Sequence, residues 1–508
     1  MTKILDSPTF NLIDEAWIPC IRNDGSKEEL NLVEVLLNAH GLRALYGETP
    51  LVVASLYRFL LAMMYSTYGV PASTRSWRKL WQAEKNDAMR VEEYLAKWYE
   101  RFYLFHPERP FYQWADGATR EKTIVDMLPE LSSGNSGTLF DHHLENNVAY
   151  FAPAQVIRAL LLVQTFSVAG GNGLAPRDSS DAPWARGVVF LAEGDTLFQT
   201  LMLNFMPAEQ AGFHQKEKDI AFWESENPFI PDRAIPSGFS DYLTWPIRKI
   251  ALAPEEKNGE ILISDVVMGP GLKLEPAFIN PFYHYRIKTD GYKMQRFNED
   301  RVLWRDNASF FSFHKQDTFH PPRTFHWLGN LVADEIVDGS QSYRYMALGM
   351  ANNQAKVDFY SAEHLPLPVA YLQNEKNVDG LHIVLEAAEN TRKKLYGALA
   401  KMATLILSPT ADDPEGHQPD KKDKQNMIDH WSAERQYWAS LEVHFFTLLR
   451  DLPSKGEEAI TQWDKALQNS TWSAFNYAAK MAGNDARALR ASVRAQGQLA
   501  SGLKDLFS

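Results

Sequence analysis

The sequence contains a single cysteine, Cys20, among its 508 residues. One thiol excludes internal disulfides and any zinc cluster built from several cysteines of this chain. Long apolar runs are also missing, since no stretch approaches the about 18 consecutive apolar residues that a membrane-spanning helix needs. The first residues carry neither the apolar segment nor the small-residue cleavage site of a secretory signal. We therefore expect a cytoplasmic protein with no membrane attachment.

Positive charge is scarce as well, with 52 Lys and Arg against 64 Asp and Glu and a net charge of −12. This balance disfavours broad nucleic-acid binding through the overall field of the protein. From Gly380 onward the chain holds 16 basic and 16 acidic residues, so the part before it carries the whole acidic excess. Any contact with DNA must therefore come from local patches.

Motifs of common enzymes are absent, including the G-x-x-x-x-G-K-[ST] phosphate loop, H-E-x-x-H and G-x-S-x-G. Gly171-Asn172-Gly173 begins like a dinucleotide fingerprint, but Pro176 stands where the third glycine belongs. We expect a protein without catalytic activity and without a cofactor.

Two groups of histidines raise the question of a metal site: the pair His142-His143 and the trio His314, His320 and His326. Neither group has carboxylates at ligand spacing, so structural or solvated roles are favoured over metal binding. We predict no metal.

The first part of the chain, residues 1–375, mixes short β-like runs with helical periodicity. Apolar residues fill every face of Leu51–Tyr65, which predicts a buried helix, and a second helix is predicted over Ala154–Phe166. Glycine- and proline-rich loops interrupt these segments, so the pattern predicts a large irregular α+β domain. The β-like runs lie at Phe10–Pro19, Gly187–Leu191 and Glu260–Val267.

In residues 376–508 apolar side chains recur at three- and four-residue intervals. They predict an antiparallel four-helix bundle, with a break at Pro453–Gly456 and the domain boundary within Asn374–Gly380. The four predicted helical runs cover 381–407, 431–448, 459–481, with a kink near Ser470-Thr471, and 489–506.

Four segments, taken in order, resemble a known family. Phe10–Pro19 ends in W-I-P, Phe102–Gln113 reads F-x-L-x-H-x-x-x-P-F-x-Q, Asp241–Pro246 is a third stretch, and Met350–Lys356 contains N-N-Q-A. This order and spacing resemble the CasA family, the large subunit of the type I-E CRISPR Cascade complex. The resemblance implies a non-catalytic subunit of an RNA-guided antiviral assembly that recognises foreign double-stranded DNA.

The sequence departs from some members of that family, which carry a cysteine cluster suited to zinc in the middle of the chain. The corresponding region here, Lys257–Lys273, contains no cysteine. We therefore predict that packing alone holds this region together.

The family resemblance assigns the N-Q-A loop to a wedge that enters the duplex beside the protospacer-adjacent motif (PAM). By position, the wedge here is Asn353, Gln354 and Ala355. A flat glutamine amide can both donate and accept hydrogen bonds at base edges while displacing the first base pair. From the residues alone, an Asn-rich turn between two elements explains the same pattern.

A second DNA contact implied by the resemblance is a glycine loop at the minor groove of the PAM, matched here by Gly170, Gly171, Asn172 and Gly173. A backbone without Cβ atoms can lie close to base edges. Since the minor groove carries a degenerate code, we expect tolerance of several PAM sequences. A plain flexible turn after a helix is the alternative.

Further contacts are expected from one loop and two basic groups. In relatives, a loop at 131–140 reaches the 5′ end of the guide RNA and the neighbouring subunit, and Lys273 is the candidate for a basic residue beside the PAM duplex. The loop candidates are Gly134, Asn135, Ser136, Gly137, Thr138 and Phe140, and the basic stripes on the bundle comprise Arg392, Lys393, Lys394, Arg487, Arg490 and Arg494. The stripes could bind DNA phosphates, or they could simply be solvated helix faces.

Together these expectations describe a subunit that reads the PAM, helps to open the duplex for guide RNA pairing (R-loop formation), and docks the effector helicase-nuclease. Its partners would be the other Cascade subunits, the guide RNA and double-stranded target DNA. The alternatives are a purely structural scaffold subunit without base contacts and, less favoured by the missing motifs, a stand-alone hydrolase.

Overall fold

The structure, a computed structural model, describes residues 7–128, 148–170, 179–211, 218–275, 277–299, 301–341, 343–353, 356–408 and 419–507. The chain divides into two compact units. The first comprises Met1–Asn298 and Lys315–Val369, and the second comprises Glu299–His314 and Ala370–Ser508. The predicted α+β class is confirmed, because short strands and helices alternate through the first unit while helices dominate the second.

The described strands are β1 (Thr9–Asn11), β2 (Ile18–Arg22), β3 (Lys27–Leu30), β4 (Leu42–Leu45), β5 (Tyr103–Phe105), β6 (Arg120–Thr123), β7 (Val189–Glu193), β8 (Arg248–Lys257), β9 (Glu260–Pro270), β10 (Tyr285–Lys288), β11 (Gly291–Met294), β12 (Phe319–His320), β13 (Tyr343–Asn353) and β14 (Lys356–Leu367). The described helices are α1 (Leu32–Leu37), α2 (Pro50–Tyr68), α3 (Thr74–Gln82), α4 (Ala88–Trp98), α5 (Pro153–Phe166), α6 (Leu197–Asn204), α7 (Ala208–Ala211), α8 (Phe239–Leu243), α9 (Asn307–Phe310), α10 (Arg323–Ala333), α11 (Val369–Gln373), α12 (Glu375–Leu407), α13 (Lys421–Trp431), α14 (Ala433–Lys455), α15 (Glu457–Met481) and α16 (Ala486–Phe507).

The described strands form small sheets of two or three strands, ordered β1-β5, β3-β2-β4, β6-β9-β8, β11-β10-β12 and β14-β13-β7. The predicted single run Phe10–Pro19 is wrong, because it contributes β1 and the start of β2 to different sheets. The chain turns at Asn11, between the two strands. The backbone carbonyl of Asn11 accepts from the amides of Asp14 and Glu15, and its side-chain oxygen accepts from the amide of Ile13 at 3.0 Å.

Helix α2 lies at the centre of the first unit, and the predicted burial of Leu51–Tyr65 is confirmed on nearly every face. Thr49 caps its N-terminus, Pro50 occupies the first turn, and Gly69 ends it at φ 72°. By length and composition α2 could cross a membrane, but 78% of its apolar window is buried inside the protein. The apolar faces of α2 are therefore covered by its own unit.

The F-x-L-x-H-x-x-x-P-F-x-Q segment builds part of this core. The ring of Phe111 stacks on Phe102 at 5.2 Å and on Trp223 at 5.7 Å between centroids. The amide of Gln113 donates to the carbonyl of Leu104 at 2.7 Å and accepts from the backbone of Leu252 at 2.9 Å. These motif residues therefore hold the fold together.

The region Lys257–Lys273 contains the turn and the second strand of a long hairpin formed by β8 and β9. Asn258 (φ 54°) and Gly259 (φ 84°) make its turn, the pairing of positive φ angles typical of two-residue hairpins. Ile263 and Met268 of β9 are fully buried.

The second unit starts earlier than the predicted boundary, at Ala370, and includes residues 299–314 from within the first part of the chain. This segment is held by aromatic contacts that the sequence pattern does not reveal. The ring of Trp304 stacks on Phe445 at 4.5 Å, and the guanidinium of Arg305 lies 3.8 Å from the ring centroid of Trp438.

Helices α12 to α16 form the rest of the second unit, and two details differ from the predicted runs. The second run is divided into α13 and α14 at Ser432, which has φ 52°. The predicted break over Pro453–Gly456 is present, but it lies at the last of these residues, Gly456, because α14 continues through Pro453 to Lys455. Pro453 cannot donate to the carbonyl of Leu449, and the hydroxyl of Tyr371 donates to that oxygen at 2.9 Å instead.

We predict that Tyr371→Phe lowers the free energy of unfolding by about 1 kcal/mol, because the buried carbonyl of Leu449 loses its hydroxyl donor. Urea unfolding followed by tryptophan fluorescence measures the change. In a Pro453→Ala background the restored amide can donate to the same carbonyl, so Tyr371→Phe should cost less there. Equal costs in both backgrounds would contradict this account.

Candidate nucleic-acid interface

The predicted wedge lies at the connection of the longest described hairpin of the first unit. Strands β13 and β14 form this hairpin, which we call the wedge hairpin. Strands β13 and β14 pair along their whole length, and the last paired residues are Asn353 and Lys356. Gln354 and Ala355 stand between them in the sequence and lie outside the described residues. The predicted segment is therefore the connection of a hairpin, the position at which a short polar sequence can project from a rigid ladder.

The predicted glycine loop begins directly after α5, and the structure describes its two ends. The amide of Ala169 donates to Asp181 Oδ1 at 2.8 Å, and the amide of Gly170 donates to Ser179 Oγ at 3.1 Å. Gly170 has φ 79°, a conformation that favours glycine. These bonds hold the two ends of the loop close together. The other three predicted residues, Gly171 to Gly173, lie outside the described residues.

A fully buried arginine, Arg248, bonds to the same two ends from inside the first unit, and we call it the buried clamp. Arg248, at the start of β8, donates to the carbonyl of Val168 at 2.8 Å and to that of Ser180 at 3.1 Å. Burial lowers the pKa of this guanidinium to about 10, and the nearby carboxylate of Asp181 partly opposes the shift. Arg248 therefore bonds to the chain on both sides of the glycine loop.

Gln164 and Arg58 fix Arg248 in turn. The side-chain oxygen of Gln164 accepts from the amides of Ile247 and Arg248, and its amide donates to the carbonyl of Arg248 at 2.8 Å. Arg58 of α2 donates to the carbonyls of Gln164 at 3.0 Å and Tyr242 at 2.9 Å. A cation at the C-terminal turn of α5 is favourable for the helix dipole.

The structure brings the end of the wedge hairpin and the base of the glycine loop together through Arg186. One arm of its guanidinium donates to Asn352 Oδ1 at 2.6 Å and the other to Asp181 Oδ1 at 2.8 Å. Asn352 in turn donates to the carbonyl of Ala185 at 2.9 Å. Residues that flank the two predicted DNA-contacting segments, which are far apart in sequence, therefore share one hydrogen-bond network.

Lys273 is exposed and comes shortly after β9, in the sheet that also contains β8 and Arg248. Pro270, at the end of β9, pairs with Arg248, and the amide of Gly271 donates to the carbonyl of Ile247 at 3.1 Å. Lys273 therefore extends from the strand pair that carries the buried clamp of the glycine loop.

The predicted basic stripes of the second unit divide into two kinds. Arg392 is half-buried and donates to the carboxylates of Glu389 at 3.2 Å and Glu434 at 3.0 Å, which favours a structural role. The aliphatic stem of Lys394 lies over Gly502. The four remaining members are exposed on their helices: Lys393, Arg487, Arg490 and Arg494.

The predicted guide RNA loop, with Gly134 to Phe140, and the pair His142-His143 lie outside the described residues. The histidines of the candidate trio have separate partners: His314 lies 3.4 Å from Asp379, His320 lies 3.0 Å from Arg323, and His326 lies 3.1 Å from Gln210. Among the residues that the structure describes, no group of three or more His, Cys, Asp or Glu side chains is placed to hold a metal ion.

Sequence reasoning missed Arg186, Asp181, Asn352 and Arg248 as residues of this site. Arg186 and Asn352 are separated by 166 positions, so no local spacing connects them. Two sequence signals were present: Asn352 is the first residue of the N-N-Q-A segment, and Asp181 and Arg186 stand shortly after the glycine run.

We predict that Arg248→Met lowers the free energy of unfolding by about 3 kcal/mol, because the carbonyls of Val168 and Ser180 lose their donor. Arg344→Met is the matched control, since Arg344 pairs with Glu193 at the partly exposed end of β13. Its loss should cost less than about 1 kcal/mol. Urea unfolding compares the two variants, and equal costs would contradict a special role for the buried clamp.

Comparison with known proteins agrees with this architecture. The family model for CRISPR-associated protein Cse1 matches residues 11–474. The CRISPR-associated protein CasA/Cse1 of Thermus thermophilus is 31% identical over 503 residues, which cover 95% of both chains.

Solved structures extend the match to the fold. The structure of Thermus thermophilus CasA (Cse1) superposes with a TM-score of 0.81 at 26% identity, covering 99% of this chain and 100% of that one. A chain from a CRISPR RNA-guided surveillance complex shares the fold with a TM-score of 0.75 at 19% identity, covering 97% of this chain and 100% of that one. On the extent of the family match and the identity to the Thermus protein, the chain belongs to the CasA/Cse1 family of CRISPR-associated proteins.

Proposed function

We propose that the protein is the large subunit of an RNA-guided surveillance complex and that it recognises the PAM in double-stranded DNA and helps to open the duplex. The observation that carries the proposal is the network around Arg186, which joins the base of the glycine loop to the end of the wedge hairpin. Membership of the CasA/Cse1 family and the fold shared with a surveillance-complex chain support it.

The hairpin suits a wedge for a mechanical reason. Displacing a base pair costs a few kcal/mol of unstacking energy, so the inserted residue needs a rigid support. The paired strands β13 and β14 provide a ladder of 11 and 12 residues that is further paired with β7. Gln354, in the connection, would meet the first base pair, with Asn353 and Ala355 beside it.

The glycine loop suits minor-groove contact because its two ends are clamped while its glycines leave the backbone open to close approach. Since the minor groove distinguishes mainly A·T from G·C pairs, reading by this loop would tolerate several PAM sequences. Sequence specificity for the rest of the target would come from pairing with the guide RNA.

The remaining partners follow from the same proposal. The loop at 134–140 would contact the guide RNA and a neighbouring subunit, and the opened complex would dock the effector helicase-nuclease. The protein would act in the cytoplasm without catalysing a reaction. The rival function is a structural scaffold whose loops never touch bases, and the same experiments decide between the two.

We expect Gln354→Ala to slow duplex opening by about tenfold while assembly of the complex stays intact, because the wedge loses its contacts to base edges. Fluorescence of 2-aminopurine placed beside the PAM measures opening. Gln341→Ala serves as the matched control, since Gln341 bonds to Asp195 away from the connection of the hairpin. Unchanged opening in Gln354→Ala would favour the scaffold.

A band-shift of the assembled complex on PAM and non-PAM duplexes, with and without this subunit, tests the proposal as a whole. We expect selective binding only on the PAM duplex with the subunit present. Equal binding in all four mixtures would refute PAM recognition.

The exposed arginines of α16 give a separate test. Replacing Arg487, Arg490 and Arg494 by Gln should weaken binding to all duplexes alike and flatten its salt dependence, by about one unit of slope for each lost phosphate contact. The control replaces Lys421, Lys422 and Lys424 on α13, which removes the same charge. Equal losses in both triple variants would mean that net charge, and not the stripe on α16, is responsible.

A further inference from the structure

We propose that Arg186 is a positioning residue that couples the glycine loop to the wedge hairpin, so that PAM contact and duplex opening depend on one shared element. This inference rests on the proposed function, since it concerns how the two loops of that site act together. Arg186 itself need not touch DNA.

The first observation is the geometry of the bridge. The two arms of the guanidinium reach different segments, with Asn352 Oδ1 at 2.6 Å and Asp181 Oδ1 at 2.8 Å. The same oxygen of Asp181 accepts from the amide of Ala169, the first residue of the loop base. Since charge-assisted hydrogen bonds are the strong ones and a guanidinium has a fixed fork shape, the bridge sets the distance between the segments.

The second observation is how the hairpin receives the bridge. The register of β13 and β14 shifts between Ala351 and Asn352, which is an irregularity of the kind that redirects side chains. Asn352 uses both ends of its amide, since its nitrogen donates to the carbonyl of Ala185 at 2.9 Å. Its orientation is therefore fixed immediately before the first residue of the predicted wedge.

The third observation is that the backbone around Arg186 is itself rigid. The carbonyl of Pro183 accepts from the side chains of Asn280 at 2.9 Å and Tyr283 at 3.1 Å. At Gly187 a Cβ would lie 2.6 Å from the ring of Tyr283, so the chain passes directly against that ring. Arg186, with its side chain 18% exposed, therefore extends from a fixed support.

A bridge between two rigid supports has a consequence for binding. When the glycine loop is held on the minor groove, the position of the hairpin end relative to the duplex is set as well. Without the bridge, each segment would have to be ordered separately, at a cost in conformational entropy for each. The bridge therefore makes PAM contact favour wedge insertion.

The test begins with the isolated full chain and hydrogen–deuterium exchange. Arg186→Met should speed amide exchange about tenfold at the hairpin end and at the loop base, the effect of losing a charge-assisted hydrogen bond at each. Asn352→Ala should speed exchange at the hairpin end, while at the loop base the amide of Ala169 still donates to Asp181. Arg344→Met, at the other end of β13, is the matched control and should change neither segment. Unchanged exchange at the hairpin end in both Arg186→Met and Asn352→Ala would overturn the inference.

The second measurement uses the assembled complex and 2-aminopurine beside the PAM. Arg186→Met should slow opening about tenfold, and Arg186→Lys should behave alike, because one ammonium cannot reproduce the fork between two segments. Combined with Gln354→Ala, Arg186→Met should add no further slowing. Full rescue by lysine, or multiplied effects in the double variant, would overturn the coupling. Normal opening in Gln354→Ala alone would contradict the proposed function, while the exchange measurement would still decide the role of Arg186.

Discussion

Two buried arginines and a glutamine organise the part of the protein on which the proposed site depends. Arg58 on α2 reaches the end of α5, Gln164 on α5 holds the backbone of β8, and Arg248 on β8 holds both ends of the glycine loop. Burying two guanidinium groups is costly, and the lowered pKa values of both residues reflect that cost. The backbone carbonyls that accept from these groups compensate for it. The two ends of the glycine loop are thereby bonded to the interior of the first unit.

This arrangement is compatible with the proposed DNA binding despite a net charge of −12. The cations at the base of the glycine loop, Arg186 and Arg248, already donate to Asp181 or to backbone carbonyls. They therefore stabilise the loop base more than they attract DNA from solution. In the proposed function, backbone atoms of the loop and the neutral residues of the hairpin connection would make the contacts with DNA. Exposed cations such as Lys273 and those of α16 would add attraction locally, where phosphates pass.

In the second unit, too, several arginines are bonded within the protein. Its segment 299–314 is tied to the helices by aromatic stacking and by Arg301 and Arg305 around Glu389, whose pKa is lowered by these partners against the opposing effect of burial. Arg392 joins the same cluster. A basic residue in a helical stripe can therefore have a structural role. Its burial in the structure, and not its spacing in the sequence, distinguishes it from a residue that is exposed to solvent.

Sequence alone determined the class of the fold, the long helices of the second unit and the family, because each depends on local periodicity or on short motifs with fixed order. It also predicted positions for a wedge and a glycine loop, although only through resemblance. It differed from the structure at two places, one decided by a distant donor and the other by a local turn. Pro453 stays inside α14 because Tyr371 supplies the donor that proline lacks, and Phe10–Pro19 divides between two sheets because Asn11 turns the chain.

What only the tertiary structure decided is the connection between the two predicted loops. Asn352 meets Asp181 through Arg186 because β13 lies beside β7 and the segment that precedes it, a pairing between residues more than 150 positions apart. A side chain's hydrogen-bond partner depends on which segments fold together, and no spacing in a single sequence records that. The sequence therefore predicted the two loops, and the packing of the sheet set the bridge between the segments that carry them.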